Sequence, residues 1–282
     1  MKLAVVTDSS AVLPEEIQNH PDLSVIPIPV IIDGQSYSEG QDLEADEFYA
    51  MLNTSKEFPK TSQPVLGEVL ALYENLQKAG YDTIISIHLS AGISGFVGTL
   101  EAIKDEFPGL TIVPFDSKIT SMPMGNMVKA ALDMKDKGAS LEEIKTGLAY
   151  IRDNVYAYLI VDDLNNLVRG GRLTNGAALL GGLLKIKPIL TFVEGKIVLF
   201  EKIRSSKKAF TRAENIVGEK AAAIDQPVQF FVIHANNLPV ALEEQAKLQA
   251  KYPEAQVTIG HFGPVIGTHL GEKAIGIAIS PY

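Results

Sequence analysis

The fold is decided by the stretch Thr83–Phe107, TIISIHLSAGISGFVGTLEAIKDEF, in which an apolar run, a glycine-rich turn and a helical pattern follow one another. The run Thr83–His88 is short and rich in isoleucine, as in a strand that is buried on both faces. The spacing of apolar residues then predicts a helix over Ile93–Phe107, and Leu110–Phe115 has the composition of a further strand. This order of strand, helix and strand is typical of a parallel α/β sheet.

The same alternation covers about the first 160 residues. Leu3–Thr7 (LAVVT) and Val155–Val161 (VYAYLIV) predict two more buried strands. Ser24–Ile32 is also strand-like, but Pro27 and Pro29 cannot donate to a ladder, so we expect this strand at a sheet edge. Further helices are predicted over Asp42–Leu52, Val65–Ala79, Ser121–Lys137 and Leu141–Asp153. We therefore predict that residues 1–162 form an open, mostly parallel α/β domain.

The pattern changes after residue 162. The segment Asp163–Gly182 is rich in glycine and asparagine, and Glu194-Gly195 separates two strand-like runs as in a hairpin. The remaining predicted elements are strands at Pro188–Phe192, Lys196–Phe200, Val228–Ile233, Gln256–Ile259 and Ala274–Ile279, and helices at Ser206–Ala223 and Pro239–Lys251. A hairpin mixed with crossovers predicts a second, α+β domain over residues 163–282.

Composition excludes several classes of function. The formal charge of −9 disfavours nucleic acid as the main partner, because phosphate binding requires clustered lysine and arginine. The absence of cysteine excludes disulfides, thiolate catalysis and cysteine zinc sites. The apolar segment Leu3–Val6 is too short for a signal-peptide core, and no run approaches the roughly 18 apolar residues that span a bilayer. We expect a cytoplasmic protein without stable membrane insertion.

Hydroxyl-rich loops mark the candidate site, since ligands of open α/β sheets bind at the carboxyl ends of strands. Asp8-Ser9-Ser10 follows the first strand, Thr61-Ser62 precedes Pro64, and Ser94-Gly95 opens the helix after His88. Each hydroxyl can cap a helix or hold a ligand. Ser94 can also be a nucleophile, although Phe96 replaces the last glycine of the G-x-S-x-G elbow.

Histidines and basic residues form the other candidates. His261 and His269 lie in a glycine-rich segment, but they are eight residues apart with Pro264 between them, so the i,i+4 spacing of zinc ligands is missing and we expect no metal. Arg172 ends the motif RGGR and Arg204 precedes a predicted helix. Spacing alone favours solvated surface charges for both arginines, with an anionic partner as the alternative.

Seven motifs, in order along essentially the whole chain, resemble those of the DegV family. They are VTDSS (Val6–Ser10), TSQP (Thr61–Pro64), AGISGF (Ala91–Phe96), FDS (Phe115–Ser117), RGGR (Arg169–Arg172), LKIKPIL (Leu184–Leu190) and GPVIGTH (Gly263–His269). Members of this family are fatty-acid-binding proteins that serve as the acyl-carrying subunits of bacterial fatty acid kinase.

The resemblance implies that a long-chain fatty acid such as palmitate or oleate lies between the two domains, with no cofactor. The loops of the first domain would bind the carboxylate through Thr61, Ser94 and His269, and the second domain would close the acyl tunnel. The residues expected near the head group are Ser62, Gly95 and Arg172, and Arg204 resembles a residue that docks the kinase. The chain would present the carboxylate to a separate ATP-dependent kinase, which forms acyl phosphate for phospholipid synthesis, and would itself catalyse nothing.

Two departures from the family pattern bear on the site. Phe96 stands where the family usually has threonine, and we expect the ring to reshape the pocket. Gly271-Glu272-Lys273 replaces the usual G-P-G, and we expect an altered loop beside His269. Candidate tunnel residues are Phe96, Met122, Met124, Met127 and Ile266, for which ordinary core packing is the alternative.

Two other functions stay open at this point. A serine esterase or thioesterase would use Ser94 and His269 with an acid such as Asp8. An enzyme acting on a phosphate-bearing ligand would use the hydroxyl-rich loops.

Overall fold

The computed structural model describes residues 1–180 and 186–282, which form three sheets with helices packed against them. The strands are β1 Leu3–Asp8, β2 Leu23–Ile26, β3 Pro29–Ile32, β4 Gln35–Ser38, β5 Lys60–Thr61, β6 Thr83–His88, β7 Thr111–Asp116, β8 Tyr156–Ile160, β9 Lys187–Val193, β10 Lys196–Ile203, β11 Val228–His234, β12 Gln256–His261 and β13 Ile275–Pro281. The helices are α1 Ala45–Leu52, α2 Leu66–Lys78, α3 Phe96–Ile103, α4 Ser121–Asp136, α5 Leu141–Asp153, α6 Asn165–Arg169, α7 Gly176–Leu180, α8 Ser206–Ala221, α9 Leu238–Lys251 and α10 Pro264–Leu270.

The first sheet is parallel throughout and has the strand order β2-β1-β6-β7. Every residue of β1 and β6 is buried, because α2 and α3 cover one face and α4 covers the other. Burial on both faces explains the continuous apolar runs that predicted these strands. The expected N-terminal parallel sheet is therefore confirmed.

The proline-containing run Ser24–Ile32 does not form one strand. It divides into β2, at the edge of the first sheet, and β3, which is the central strand of a three-stranded antiparallel sheet with β4 and β5. Pro29 is the first residue of β3, a position where a missing N–H is tolerated. The segment predicted as a loop before Pro64 begins with β5, so Thr61 is held by pairing with Val30.

The second large sheet has the order β10-β9-β8-β13-β11-β12. β8 lies antiparallel between β9 and β13, so the prediction that Val155–Val161 continues the first, parallel sheet is wrong. A continuous apolar run indicates that a strand is buried but not which strands pair with it. The division of the chain at residue 162 stays a prediction, and β8 lies before that point. The α+β character of the C-terminal region is confirmed, with α8 and α9 packed on the outer face of this sheet.

The glycine-rich segment that contains His269 is helical, which the sequence did not predict. Its helix, α10, packs closely on α1, since a Cβ atom at Gly267 would lie 2.7 Å from the hydroxyl oxygen of Tyr49. Tyr49 in turn donates a hydrogen bond to the carbonyl oxygen of Phe262 at 2.9 Å. Gly181-Gly182 and the first two residues of the motif LKIKPIL lie outside the described residues. None of the described helices is both long enough and apolar enough to cross a membrane.

Candidate functional site

A cavity of about 270 Å³ lies among the three sheets and α10. Its wall includes Thr61 from β5, Leu159 from β8 and Ile266 from α10. All six residues predicted at or near the carboxylate line this one cavity: Thr61, Ser62, Ser94, Gly95, Arg172 and His269. The structure thus brings together residues that are up to 208 positions apart in the chain.

The polar end of the cavity centres on a hydrogen bond between Thr61 and His269. The Oγ1 atom of Thr61 lies 2.8 Å from Nε2 of His269. Burial, together with the positive charge of Arg172, lowers the pKa of His269 from 6.5 to about 4. The imidazole is therefore neutral at physiological pH.

The surroundings of His269 also decide which ring nitrogen carries the proton. Its Nδ1 atom is buried without a hydrogen-bond partner among the described residues and faces Gly170, where a Cβ atom would lie 2.4 Å away. A buried N–H without an acceptor costs more than an unfilled acceptor site, so the proton resides on Nε2. Nε2–H then donates to Thr61, and the hydroxyl proton of Thr61 is left for a ligand.

Ser94 lies in the loop between β6 and α3, where its oxygen accepts a hydrogen bond from the N–H of Phe96 at 3.3 Å. This contact satisfies the N–H of the first residue of α3, whose N-cap is Gly95, and it leaves the hydroxyl proton of Ser94 available for a ligand. Ser62, Gln63 and Gly95 are exposed, which shows that the polar end of the cavity opens toward solvent. Gln63 was not among the predicted site residues, although it stands inside the motif TSQP.

Arg172 supplies a positive charge at this end. Its Nε donates to the carbonyl oxygen of Ile93 at 3.2 Å, and its Nη1 donates to that of Gly170. Within residues 1–180 and 186–282 it forms no ion pair with a carboxylate. The guanidinium is thus fixed by backbone oxygens, and its charge is not neutralised by a described side chain.

The rest of the cavity is apolar. Its wall is dominated by buried aliphatic and aromatic side chains, among them Ile28, Leu89, Ile119, Leu159, Phe262, Val265, Ile266 and Leu270. A cavity with an apolar body and a few convergent polar groups at one end suits an amphiphilic molecule with an anionic head.

The comparison with protein families agrees with the motifs. The family model of DegV proteins matches residues 2–282. This chain belongs to the DegV family. A DegV domain-containing protein of Listeria monocytogenes is 46% identical over 279 residues, which cover 99% of this chain and 98% of the relative. The DegV protein of Bacillus subtilis is 43% identical over 278 residues, 98% of each chain.

Solved structures of the DegV family share the fold. A fatty acid binding DegV family protein from Streptococcus agalactiae superposes with a TM-score of 0.96 at 44% identity, covering 100% of this chain and 99% of that chain. DegV from Bacillus subtilis, described as a fatty acid binding protein, gives a TM-score of 0.91 at 42% identity over 100% of both chains.

The first departure from the DegV pattern, Phe96, lies outside the cavity wall. Phe96 is 1% exposed and is not among the residues that line the cavity. Its ring packs edge-on against His88 at 4.7 Å between centroids, in the core under α2 and α3. The prediction that Phe96 lines the ligand cavity is therefore wrong, because its side chain packs into the core between α3 and the first sheet. Met122, Met124 and Met127 also lie outside the cavity wall, whereas Ile266 belongs to it.

The second departure, Glu272-Lys273, lies in a turn that is held by a side-chain hydrogen bond. Glu272 accepts a hydrogen bond from the side-chain amide of Asn236 at 2.7 Å. His269 precedes this turn, in the last turn of α10, and keeps its contact with Thr61.

The geometry disfavours the serine hydrolase. Asp8, the proposed acid, is fully buried and pairs with His88, whose Nδ1 lies 2.9 Å from its carboxylate. Asp8 is therefore not available to Nδ1 of His269, which has no acid partner in the described part of the chain, and Nε2 of His269 is bonded to Thr61 rather than to Ser94. Within residues 1–180 and 186–282, Ser94, His269 and Asp8 do not form a catalytic triad.

Arg204 lies apart from the cavity. It is exposed and follows the last residue of β10, seven residues beyond Ile197, which lines the cavity. At the rise of an extended strand, this places Arg204 roughly 20 Å along β10 from the ligand site. A direct contact with a bound ligand is not expected at that distance.

Of the described acidic and histidine side chains, His20, Asp22 and Asp136 come close enough together to share an ion. Lys135 forms ion pairs with both of these carboxylates, so its ammonium already supplies the positive charge. His261 is the last residue of β12 and does not belong to this cluster.

Proposed function

We propose that this chain binds a long-chain fatty acid in the cavity, with the acyl chain in the apolar body and the carboxylate at the hydroxyls of Thr61 and Ser94, beside His269, whose Nε2–H orients the hydroxyl of Thr61. The observation that carries the proposal is the division of one cavity into an apolar interior and a polar end with two available hydroxyl protons and Arg172. The DegV relatives described as fatty acid binding proteins support it at 42–44% identity.

The energetics of such a ligand fit this arrangement. Each buried methylene contributes about 0.8 kcal/mol, so a C16 chain contributes on the order of 10 kcal/mol before the cost of association. An ionised carboxylate cannot be buried without donors, since the unpaired charge would cost far more than one hydrogen bond. Thr61 and Ser94 supply hydroxyl donors, and Arg172 supplies the counter-charge.

The chain then presents the carboxylate to a separate ATP-dependent fatty acid kinase. The solvent-open polar end, with Ser62, Gln63 and Gly95 exposed, supports this role because a second protein can reach the head group there. In the transfer, a carboxylate oxygen attacks the γ-phosphorus of ATP, the bond to the β-phosphate oxygen breaks, and acyl phosphate and ADP result. The product would enter phospholipid synthesis, and this chain's part is to bind and orient the substrate.

Binding is tested by native mass spectrometry of the chain purified without detergent from a bacterial host. The expected spectrum contains a species heavier by one C16 or C18 fatty acid, and added oleate replaces that species. The matched control is the Thr61→Val/Ser94→Ala double variant, which should lose most of the bound lipid. A wild-type chain that neither carries nor takes up a fatty acid would refute the proposed binding.

The kinase role is tested by reversing the charge of Arg204. Arg204→Glu should slow phosphorylation of bound oleate by the cognate kinase and leave the affinity for oleate unchanged, since Arg204 lies far from the cavity. Lys137→Glu, an equal charge reversal at an exposed residue of another surface, is the control. If Arg204→Glu and the wild type are phosphorylated at equal rates, Arg204 is not part of the surface that docks the kinase.

A further inference from the structure

Glu39 is a buried carboxyl group that joins the end of β1 to the start of α10. It follows β4 and is 6% exposed. The Oγ atom of Ser9 lies 2.8 Å from its Oε2, and the backbone N–H of Val265 donates to its Oε1 at 3.2 Å. A Cβ atom at position 263 would lie 2.2 Å from Oε1, so only the glycine found there lets the carboxyl group approach α10 this closely.

Both partners of Glu39 lead to the candidate site. Val265 lies in the first turn of α10, four residues before His269, which is about 6 Å along the helix axis. Ser9 also accepts a hydrogen bond from the N–H of Ile28 at 3.0 Å, and Ile28 lines the cavity. The carboxyl group of Glu39 thus links two parts of the cavity wall, at Ile28 and at α10, that are far apart in the sequence.

We propose that Glu39 is a positioning residue, whose carboxyl group holds the first turn of α10 against the end of β1 and thereby places His269 against Thr61. This inference rests on the proposed function of the cavity, because the placed hydrogen bond is the one that orients the hydroxyl of Thr61 toward the acyl carboxylate.

The charge state of Glu39 gives this role a distinctive signature. Burial, with the negative charges of Asp8 and Glu44 nearby, raises the pKa of Glu39 from 4.5 to about 8, despite the opposing hydrogen bonds from Ser9 and Val265. Tyr49 also faces it from α1, and the pKa of that phenol is raised by burial and by Glu39. Near neutral pH the carboxyl group is therefore protonated, and its O–H donates to Oγ of Ser9. As the pH passes 8 it becomes an anion that accepts from the hydroxyl of Ser9.

The groups at the polar end keep their charges over the same range. His269 stays neutral because its pKa is about 4, and the fatty acid carboxyl stays ionised. Ionisation of Glu39 adds a like charge about one helical turn from His269, which opposes binding of the carboxylate. We therefore expect affinity for a fatty acid to fall above pH 8 through Glu39.

The experiment compares wild type, Glu39→Gln and Glu39→Ala by displacement of cis-parinaric acid with oleate at pH 7 and pH 9.5. In Glu39→Gln the amide keeps an oxygen for the N–H of Val265 and donates an N–H to Ser9, so the affinity of this variant for oleate at pH 7 should stay within about threefold of wild type. Glu39→Ala loses both contacts and should bind oleate about tenfold more weakly. From pH 7 to 9.5, wild-type affinity should fall about threefold to tenfold and that of Glu39→Gln less than about twofold.

Glycine variants test the same contact without changing a titratable group. Gly263→Ala should displace the carboxyl group of Glu39 and weaken oleate binding, while Gly98→Ala, where an added Cβ meets nothing within 4 Å, should not. If wild type binds oleate but Glu39→Gln shows the same pH profile, the role of Glu39 is refuted and the proposed function stands. If wild type binds no oleate at pH 7, the proposed function fails and the role of Glu39 fails with it.

Discussion

Replacement of Thr61 by valine removes one hydroxyl group and changes the shape of the cavity very little. Thr61 lies 2.8 Å from Nε2 of His269, and the neutral imidazole donates to it because Nδ1 has no acceptor among the described residues. The hydroxyl proton is therefore directed at a bound carboxylate. Valine removes this donor and also leaves Nε2–H of His269 without an acceptor.

The expected loss follows from these two changes. A hydrogen bond to a charged group contributes about 1.5–3 kcal/mol, so Thr61→Val should bind oleate about 10-fold to 150-fold more weakly. The fold should be retained, because Thr61 is in β5, where it pairs with Val30, and a β-branched residue suits a strand.

Displacement of cis-parinaric acid by oleate at pH 7 measures the loss. Thr146→Val is the matched control, since it removes an exposed hydroxyl on α5 that bonds only the carbonyl oxygen of Glu142. Combining Thr61→Val with His269→Gln should cost less than the sum of the two single changes, because both remove the same contact. An affinity of Thr61→Val within twofold of wild type would refute the assigned orientation of this hydroxyl.

Three further predictions concern stability. The pKa of His269 is about 4 in the folded chain and near 6.5 when unfolded, so the neutral imidazole contributes stability at pH 7 that is lost as the pH falls to 4. Chemical denaturation should therefore find that wild type loses about 3 kcal/mol relative to His269→Gln over this range, because Glu39 and the other titrating groups are common to both chains; parallel curves would contradict this. Phe96→Thr should lower the free energy of unfolding by about 3 kcal/mol while oleate affinity changes less than about twofold. A larger change in affinity would show that Phe96 affects the ligand site after all. Gly92→Ala should lower the melting temperature because its Cβ would lie 2.3 Å from the carbonyl oxygen of Gly195, whereas Gly98→Ala should not, and equal melting temperatures would disprove that contact.

The parallel sheet was predictable because burial on both faces leaves a clear mark in the sequence. β1, β6 and β7 are continuous apolar runs followed by helical patterns. β8 carries the same mark and was assigned to the wrong sheet, because its partners β9 and β13 are distant in sequence. Pairing between distant strands depends on the whole topology, which local periodicity does not encode.

The helix that contains His269 was missed for a different reason. Three glycines and a proline in Gly263–Gly271 are typical of a turn. Gly263 and Gly267 instead provide space for Glu39 and for Tyr49, so these glycines reflect close packing. Tertiary contacts determine that α10 is helical, and no feature within the segment reveals them.

The residues of the candidate site were found through family motifs, whereas their arrangement needed the structure. Spacing alone could not bring Thr61 to His269 across 208 positions. It also did not indicate that Asp8 pairs with His88. Because of this pair, Asp8 cannot serve as the acid of a serine hydrolase. Glu39 lies in no motif, and its burial becomes evident only when β1 and α10 are seen together.

A crystal structure of the chain saturated with oleate would show directly where the acyl chain and its carboxylate bind. We predict that the acyl chain fills the cavity lined by Ile28, Phe262 and Ile266, with a carboxylate oxygen at a hydrogen-bond distance of about 2.7 Å from the hydroxyl of Thr61 and the other oxygen near Ser94. Oleate bound elsewhere, or bound with its carboxylate at the opposite end of this cavity, would contradict it.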